Sequence, residues 1–336
     1  MQMQTQRLKP DSRGIKLIHS RIVGTGAHLP ERVVTNFDLE KMMDTTDEWI
    51  RTRTGIERRH IAADGETTVD LAEHAARRAI DAAGLRPQDI DFIAFGTTTP
   101  DLVFPNCGTL LQGRLGCRGG PAFSVETACS GFMYALSIAD KFVRAGESKH
   151  ALVVGAETLS RITDWNDRST AVLFADGAGA VVLEPSAESG ILSTHMHSDG
   201  TYKDLLYCAG GVSKGFGADG RASIAMVGGE VFKVAVQTLG RAVDEALEAN
   251  HMDRSALNWL VPHQANIRII QAMARKLDLP MERVIVTVQD HGNTSAASVP
   301  LALDVAVRDG RIKRGDLLLL EAFGGGFTWG SALVRY

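Results

Sequence analysis

The chain has 336 residues, 44% of them hydrophobic and 23% charged, which is the composition of an ordinary globular protein and too long for one simple core. Thirty-six Lys and Arg against 40 Asp and Glu leave a net charge of −4, which argues against wholesale binding to nucleic acid or an anionic membrane surface. Four cysteines, Cys107, Cys117, Cys129 and Cys208, have neither CxxC nor Cys/His ligand spacing, so neither a zinc site nor a disulfide scaffold is expected and a reducing cytoplasm fits best.

Met1 to Gly14 is polar and lacks an apolar core, so it reads as a loosely held tail and not as a signal peptide. No apolar run approaches the ~20 residues needed to span a bilayer. Ile15 to Val23 reads as a strand followed by Gly24-Thr25-Gly26. A dinucleotide loop is rejected there because Leu29 and Pro30 stand where a third glycine and a helix are needed. Asn36 to Arg53 reads as helical, and Thr68 to Ala83 as a strongly amphipathic helix leading to the strand Phe92 to Gly96. Further on, Ala151 to Gly155 reads as a strand, and Ala171 to Leu183 carries a Gly-Ala-Gly-Ala bend into another. Strands and helices alternating in this way predict α/β layering.

Between these elements lies Phe123 to Tyr134, where an alternating apolar run ends at Glu126, small residues follow, and a helical pattern begins. Small residues at such a junction permit a sharp strand-to-helix turn that presents a nucleophile. Cys129 is thereby expected at the first turn of a helix, where unpaired N–H groups and the macrodipole lower a thiol pKa.

The chain also repeats itself. Ala79 to Thr97 and Ala246 to Gln264 superpose without gaps at an offset of 167, near half of 336. Cys129 to Gly146 and Asn293 to Gly310 align at an offset of 164, sharing Asp140/Asp304, Val143/Val307, Arg144/Arg308 and Gly146/Gly310. This predicts two related halves, residues 15–190 and 191–336, behind a tail of residues 1–14. In this reading Cys129 and Asn293 occupy equivalent helix starts, and pseudo-twofold packing brings them together with His263, which follows the strand of the second block.

His263, in Pro262-His263-Gln264-Ala265-Asn266, sits just past a buried strand, and Asn293 lies on a glycine-permitted turn in His291-Gly292-Asn293-Thr294-Ser295. His291, in that turn, is expected to be solvated. Gly324-Gly325-Gly326 separates two terminal strands and allows backbone N–H groups to point at one oxygen. No Lys-Ser/Thr follows, so a phosphate-gripping loop is not expected.

Together these motifs resemble the thiolase-fold condensing enzymes, nearest to the β-ketoacyl-acyl-carrier-protein synthase III family. The likeness runs from about Ile22 to Tyr336 and includes Thr46-Asp47-Glu48-Trp49-Ile50, Arg53-Thr54-Gly55-Ile56, Ala128-Cys129-Ser130-Gly131, Pro262-His263-Gln264-Ala265-Asn266, Gly292-Asn293-Thr294-Ser295 and the terminal triple glycine. It implies an α/β thiolase-like fold of two duplicated αβαβα halves, assembled as a homodimer in the cytoplasm. The implied reaction transfers a short acyl group from acyl-CoA to Cys129 and condenses it with malonyl-acyl-carrier protein. Acyl-CoA is then a substrate, and no cofactor, metal, membrane or nucleic acid is implied. Cys129, His263 and Asn293 become the catalytic set, with the Cys129 and Gly325 N–H groups as the oxyanion hole. The resemblance further implies CoA contacts from Trp49, Arg53, Arg168 and Asn266, and an acyl pocket that includes Phe323 and is floored by Phe104 from across the dimer interface. Arg268 and Arg275 lie seven apart on one helix face, and with Lys233 and Lys276 they suggest a basic patch that docks the acidic carrier. A cysteine protease explains neither the duplication nor the glycine loop. The remaining alternatives are a related condensing enzyme or acyltransferase of specialised metabolism and a non-catalytic acyl-CoA binder.

Overall fold

Two mixed sheets of the same construction carry the molecule, seen in a computed structural model that describes residues 18–217, 220 and 222–336. The tail of residues 1–14 and the first residues of the expected first strand, 15–17, lie outside the described residues. In the first sheet, Phe92–Gly96 lies between Ala122–Val125 and Ala151–Thr158, both parallel to it. The sheet continues through antiparallel Asp176–Ser186 to His19–His28. In the second sheet, Trp259–Pro262 runs parallel to Leu317–Gly324, followed by antiparallel Thr328–Arg335 and Ile191–Ser198. A parallel bridge from Leu260 to Val284 stands where the first sheet has Ala122–Val125. Strand order and sense thus repeat.

The helices Gly131–Arg144 and Ser298–Arg308 pack between the sheets, while Thr68–Ala82 and Gly228–Ala249 cover their outer faces. The central strands Ala151–Thr158 and Leu317–Gly324 are covered on both sides, which is why they are buried along their whole length and read as continuous apolar runs. Gly131–Arg144 places Phe132, Ala135, Leu136, Ala139 and Val143 at helical spacing, and all are buried.

The shared residues of the repeat have a physical role. Asp140 and Asp304 lie on the two central helices, and each accepts a 2.6 Å hydrogen bond from the same edge strand, from Ser20 and Thr25 respectively. Arg144 and Arg308 neutralise them from one turn further on. The helix starts, however, match differently from the sequence alignment. Ala128 and Ser295 share the positive φ, 47° and 49°, that opens a 3-10 turn before each central helix. Cys129 therefore corresponds to Ala296 at the offset of 167, and Asn293 lies three residues earlier. The two helices are 14 and 11 residues long, which restores the offset of 164 at their ends.

Three local expectations need correction. The stretch 36–53 forms two helices, Asn36–Glu40 and Asp47–Thr54, because Thr46 caps a fresh start by accepting from Trp49 N, with Asp47 and Glu48 in the first turn. The Gly177-Ala178-Gly179-Ala180 segment is no bend; it lies inside Asp176–Ser186, where the missing Cβ of Gly179 lets Pro300 and Leu301 approach the strand. Gly24 and Gly26 likewise sit within the strand His19–His28, and side chains there would run into the Ala79 and Ala75 carbonyls of the covering helix.

Candidate active site

Cys129 follows the strand Ala122–Val125 and lies in the 3-10 turn Ala128–Ser130, immediately before the helix Gly131–Arg144. The turn is pinned to the glycine loop: Ser130 Oγ, Thr328 Oγ1 and the Thr127 carbonyl form a hydrogen-bonded triangle with edges of 2.7, 2.8 and 3.0 Å. Gly324 packs on the Cys129 backbone N, and Gly325 shares a cavity wall with Ala128, Cys129 and Ser295. The expected fall in the thiol pKa is not what the fold produces. Burial pushes the Cys129 thiol up to about 12; the Ser295 hydroxyl opposes this, and the nearby Glu157 carboxylate adds to it. The sequence argument weighed the helix start and not the desolvation of a side chain closed in on all sides.

The three expected catalytic residues converge. Cys129, His263 and Asn293 line one cavity and are only 7, 6 and 6% exposed. His263 extends the strand Trp259–Pro262 and donates its backbone N–H to the Glu321 carbonyl at 2.8 Å. Its Nδ1 lies 2.6 Å from Ser298 Oγ, the first residue of the second central helix. Ser298 Oγ also accepts the Gln264 N–H at 3.3 Å, and when it gives its own proton to Nδ1 the imidazole proton stands on Nε2. Burial lowers the His263 pKa to about 3, and the ring is neutral at physiological pH. Asn293 Oδ1 accepts from Ser295 N at 2.9 Å, which leaves Nδ2 as the donating end of the amide. Gln264, fully buried, accepts from the N–H groups of Thr287 and Val288 and donates to the Pro262 and Ile285 carbonyls, fixing the chain on both sides of the histidine.

Glu321 belongs to the same cavity. Among the described residues neither carboxylate oxygen has a hydrogen-bond partner, and burial raises its pKa to about 8, so it is a neutral acid near pH 7. His291 is only partly exposed: its Nδ1 is buried without a partner among the described residues, and burial, with a smaller contribution from His60, lowers its pKa to about 4. The neutral form is favoured on folding, so the unfolded chain binds the extra proton between its ordinary pKa and about 4, and stability is lost as pH falls through that window. The melting temperature of His291→Asn is therefore expected to fall less than the parent's between about pH 7.5 and about pH 5. Equal falls in both proteins refute that assignment.

Cys129 also opens on a second, largely apolar cavity, lined by Ala128, Leu159, Ile162, Phe174, Leu206 and Ile224. The two residues expected in an acyl pocket lie elsewhere in the single chain. Phe323 lines the first cavity, its ring tilted against Phe327 with centroids 4.6 Å apart, and Phe104 is 83% exposed. Asn266 caps the helix Ile267–Leu277 through Oδ1 and lines the first cavity with Phe232. Trp49, Arg53 and Arg168 come together: the guanidinium carbons lie 4.6 and 4.7 Å from the centroid of the indole. Of the expected basic patch, Lys233 pairs with Glu230 and Lys276 with Asp244. Among the described residues Arg268 and Arg275 have no carboxylate partner, and Arg268 lies over Phe232 at the cavity rim.

Residues 123–200 match the family model described as 3-Oxoacyl-[acyl-carrier-protein (ACP)] synthase III, and residues 247–336 match its C-terminal counterpart. The Beta-ketoacyl-[acyl-carrier-protein] synthase III of Thioalkalivibrio sulfidiphilus is 63% identical over 322 residues, covering 95% of this chain and 100% of the relative. The chain belongs to the β-ketoacyl-acyl-carrier-protein synthase III family. The synthase III of Xylella fastidiosa is 64% identical over 96% of this chain and 99% of its own. The crystal structure of 3-oxoacyl-[acyl-carrier-protein] synthase III from Aquifex aeolicus superposes with a TM-score of 0.89 at 48% identity, covering 94% of this chain and all of that one. The synthase III family comprises decarboxylating acyltransferases that initiate fatty-acid synthesis, so the expected fold and reaction class both hold. Several residues that organise this synthase III site escaped the motif reading: Glu157, Ser295, Ser298, Gln264, Glu321 and Thr328. All but Glu157 stood inside the motif stretches 261–266, 291–298 and 321–330, and their signal was a polar residue in an otherwise apolar or small-residue run.

Proposed function

We propose that this chain primes chain elongation through Cys129, His263 and Asn293, and the observation that supports the reading is their convergence on one cavity with two fixed donors. Cys129 attacks the thioester carbonyl of a short acyl-CoA, while the N–H groups of Cys129 and Gly325 hold the developing oxyanion, worth ~3 kcal/mol per donor. The acyl chain enters the apolar cavity beside Leu159, Phe174 and Ile224. Malonyl-acyl-carrier protein then replaces CoA and loses CO2. His263 Nε2–H and Asn293 Nδ2–H donate to the thioester oxygen of the resulting enolate, and neither is acidic enough to quench the carbanion. The carbanion attacks acyl-Cys129 to give the 3-oxoacyl product. Incubation with acetyl-CoA alone is expected to add one acetyl group to Cys129, and malonyl-acyl-carrier protein to discharge it. Intact-mass measurement reads both steps; an unmodified protein that still binds CoA would mark a non-catalytic binder instead.

Trp49, Arg53 and Arg168 would hold the adenine end of CoA, with one guanidinium leaving the indole so the base can stack. Asn266 serves the pantetheine arm, and the carrier docks over Arg268 and Arg275, with Lys233 and Lys276 at the edge in ion pairs. Arg268→Glu is expected to raise KM for malonyl-acyl-carrier protein about tenfold and leave KM for acetyl-CoA unchanged; a parallel rise in both would move the patch to the CoA entrance.

A homodimer follows from Leu102, Val103 and Phe104, which are 50, 74 and 83% exposed in one chain and form an apolar patch suited to a second copy. Phe104 would then close the partner's acyl cavity. No helix among the described residues is long and apolar enough to cross a membrane, which accords with a cytoplasmic enzyme.

A further inference from the structure

The mechanism above leaves the thiol proton of Cys129 without a destination. In the tautomer that the proposed function uses, His263 has no free lone pair for it: Ser298 Oγ stands 2.6 Å from Nδ1, and Nε2 carries the proton given to the enolate oxygen. Glu321 is no better, since it is a neutral acid with no hydrogen bond toward the sulfur. A different carboxylate is wired to Cys129. Ser295 lines the same cavity as Cys129 on one side, and its hydroxyl donates to Glu157 Oε1 at 3.1 Å on the other. Ser295 and Cys129 also face the same cavity, and their two 3-10 turns oppose each other at the meeting of the central helices.

Glu157 is built to receive a proton. It is fully buried at the end of the strand Ala151–Thr158, with no cation in contact among the described residues. Donors surround its oxygens: Thr99 Oγ1 at 2.6 Å, Thr97 Oγ1 at 3.2 Å, the Thr98 N–H at 3.1 Å and the Thr98 hydroxyl at 3.2 Å. Thr99 Oγ1 in turn accepts the Thr158 N–H at 2.9 Å, which aims its own proton at the carboxylate. Burial raises the Glu157 pKa and the surrounding donors oppose it only in part, so the carboxylate takes a proton more readily than an exposed one. The titratable groups facing it are the thiols of Cys129 and Cys107, with Asp101 beyond Cys107.

We propose that Glu157, acting through Ser295, accepts the thiol proton of Cys129 during acylation and returns it when the product leaves. The S–H bond breaks as the proton passes to Ser295 Oγ and the Ser295 proton passes to Glu157. The freed sulfur pair attacks the thioester carbon, and the C–S bond to CoA breaks with its electron pair on CoA, which takes a proton from water. Glu157 stays neutral while the sulfur is acylated. When the enolate displaces Cys129, the departing thiolate recovers its proton by the reverse path. The buried network therefore never holds two negative charges at once. Glu157 touches no substrate; it is a positioning residue for a proton.

This inference rests on Cys129 as the nucleophile, and the test separates the two. The acetylation rate of Cys129 by acetyl-CoA is measured by intact mass across pH for the parent, Glu157→Gln, Ser295→Ala and Glu157→Asp, with melting temperatures to establish folding. Both Glu157→Gln and Ser295→Ala are expected to slow acetylation about 100-fold near neutral pH, with the deficit shrinking as pH rises and water takes over as acceptor. Glu157→Asp, which keeps the carboxylate, is expected to recover part of the rate. Enzyme acetylated beforehand at high pH should lose CO2 from malonyl-acyl-carrier protein at nearly the parental rate in both variants. The relay is overturned if folded Glu157→Gln keeps the parental rate and pH profile, or if only Ser295→Ala is impaired. Failure of the parent itself to acetylate Cys129 would instead remove the nucleophile assignment.

Discussion

Cys129→Ala is expected to lose acyl transfer outright, with overall condensation falling ~10⁴-fold or more, as when the nucleophile of a covalent mechanism is removed. The side chain is 7% exposed and sits between two cavities, so its loss leaves the channel open and the donors of His263 and Asn293 in place. The variant should remain folded, because a single small side chain is removed from a turn otherwise held by the Ser130, Thr328 and Thr127 triangle. Two measurements decide the outcome. Intact mass after acetyl-CoA must show no added acetyl group, and slow decarboxylation of malonyl-acyl-carrier protein must persist, since that step needs no sulfur. An acetylated Cys129→Ala protein would place the acyl group on another residue and end the assignment.

His263→Ala and Asn293→Ala are expected to divide the reaction at a different point. Each donates to the enolate oxygen and neither touches the thiol proton, so Cys129 should still acetylate while decarboxylation falls ~10²–10³-fold, about 3–4 kcal/mol for one lost donor in a dry site. Asn293→Asp should lose at least as much, because an oxygen replaces the donating Nδ2 next to developing negative charge. The pH dependence supplies an independent check. A histidine acting as base with an ordinary pKa would make the condensation step fall off on acidification through about pH 6.5. With its folded pKa lowered to about 3, His263 stays neutral and donating well below that, so no such loss attributable to it is expected. Acetylation that collapses in His263→Ala would contradict the separation of roles.

The motif residues were legible because each carries its own local signature: a nucleophile among small residues, a histidine after an apolar strand, an amide on a glycine turn. What surrounds them was not. Ser298 meets His263 across 35 residues within the second half, while Glu157 meets Ser295 across 138 and Ser130 meets Thr328 across 198, and these last two bonds exist only once the two halves dock. The duplication was visible through Asp140/Asp304 and Arg144/Arg308, whose repeated ion pairs lie at the helix ends. Its register at the helix starts was not, because the three-residue difference in helix length falls between conserved ends and diverged beginnings. The thiol pKa was misjudged for the same reason. A helix start is written in the sequence, whereas the closing of Cys129 on all sides is a property of packing. Phe104 illustrates the limit most simply, since one chain leaves it in water.

At the midline the halves touch without intervening side chains: a Cβ on Gly155 would run into the Ala296 carbonyl, and one on Gly324 into the Cys129 backbone N. The distance between the two central turns is thus a fixed gauge, set by main chain that no rotamer can adjust. The segment supplying Leu206, Tyr207, Cys208 and Ile224 to the apolar cavity is by contrast a two-stranded ribbon, Leu206–Ala209 with Ser223–Met226, outside both large sheets. Mutation can remodel that ribbon to admit longer or branched primers while the gauge holds the bond-making atoms in register, which makes diet and chemistry separately evolvable in this enzyme.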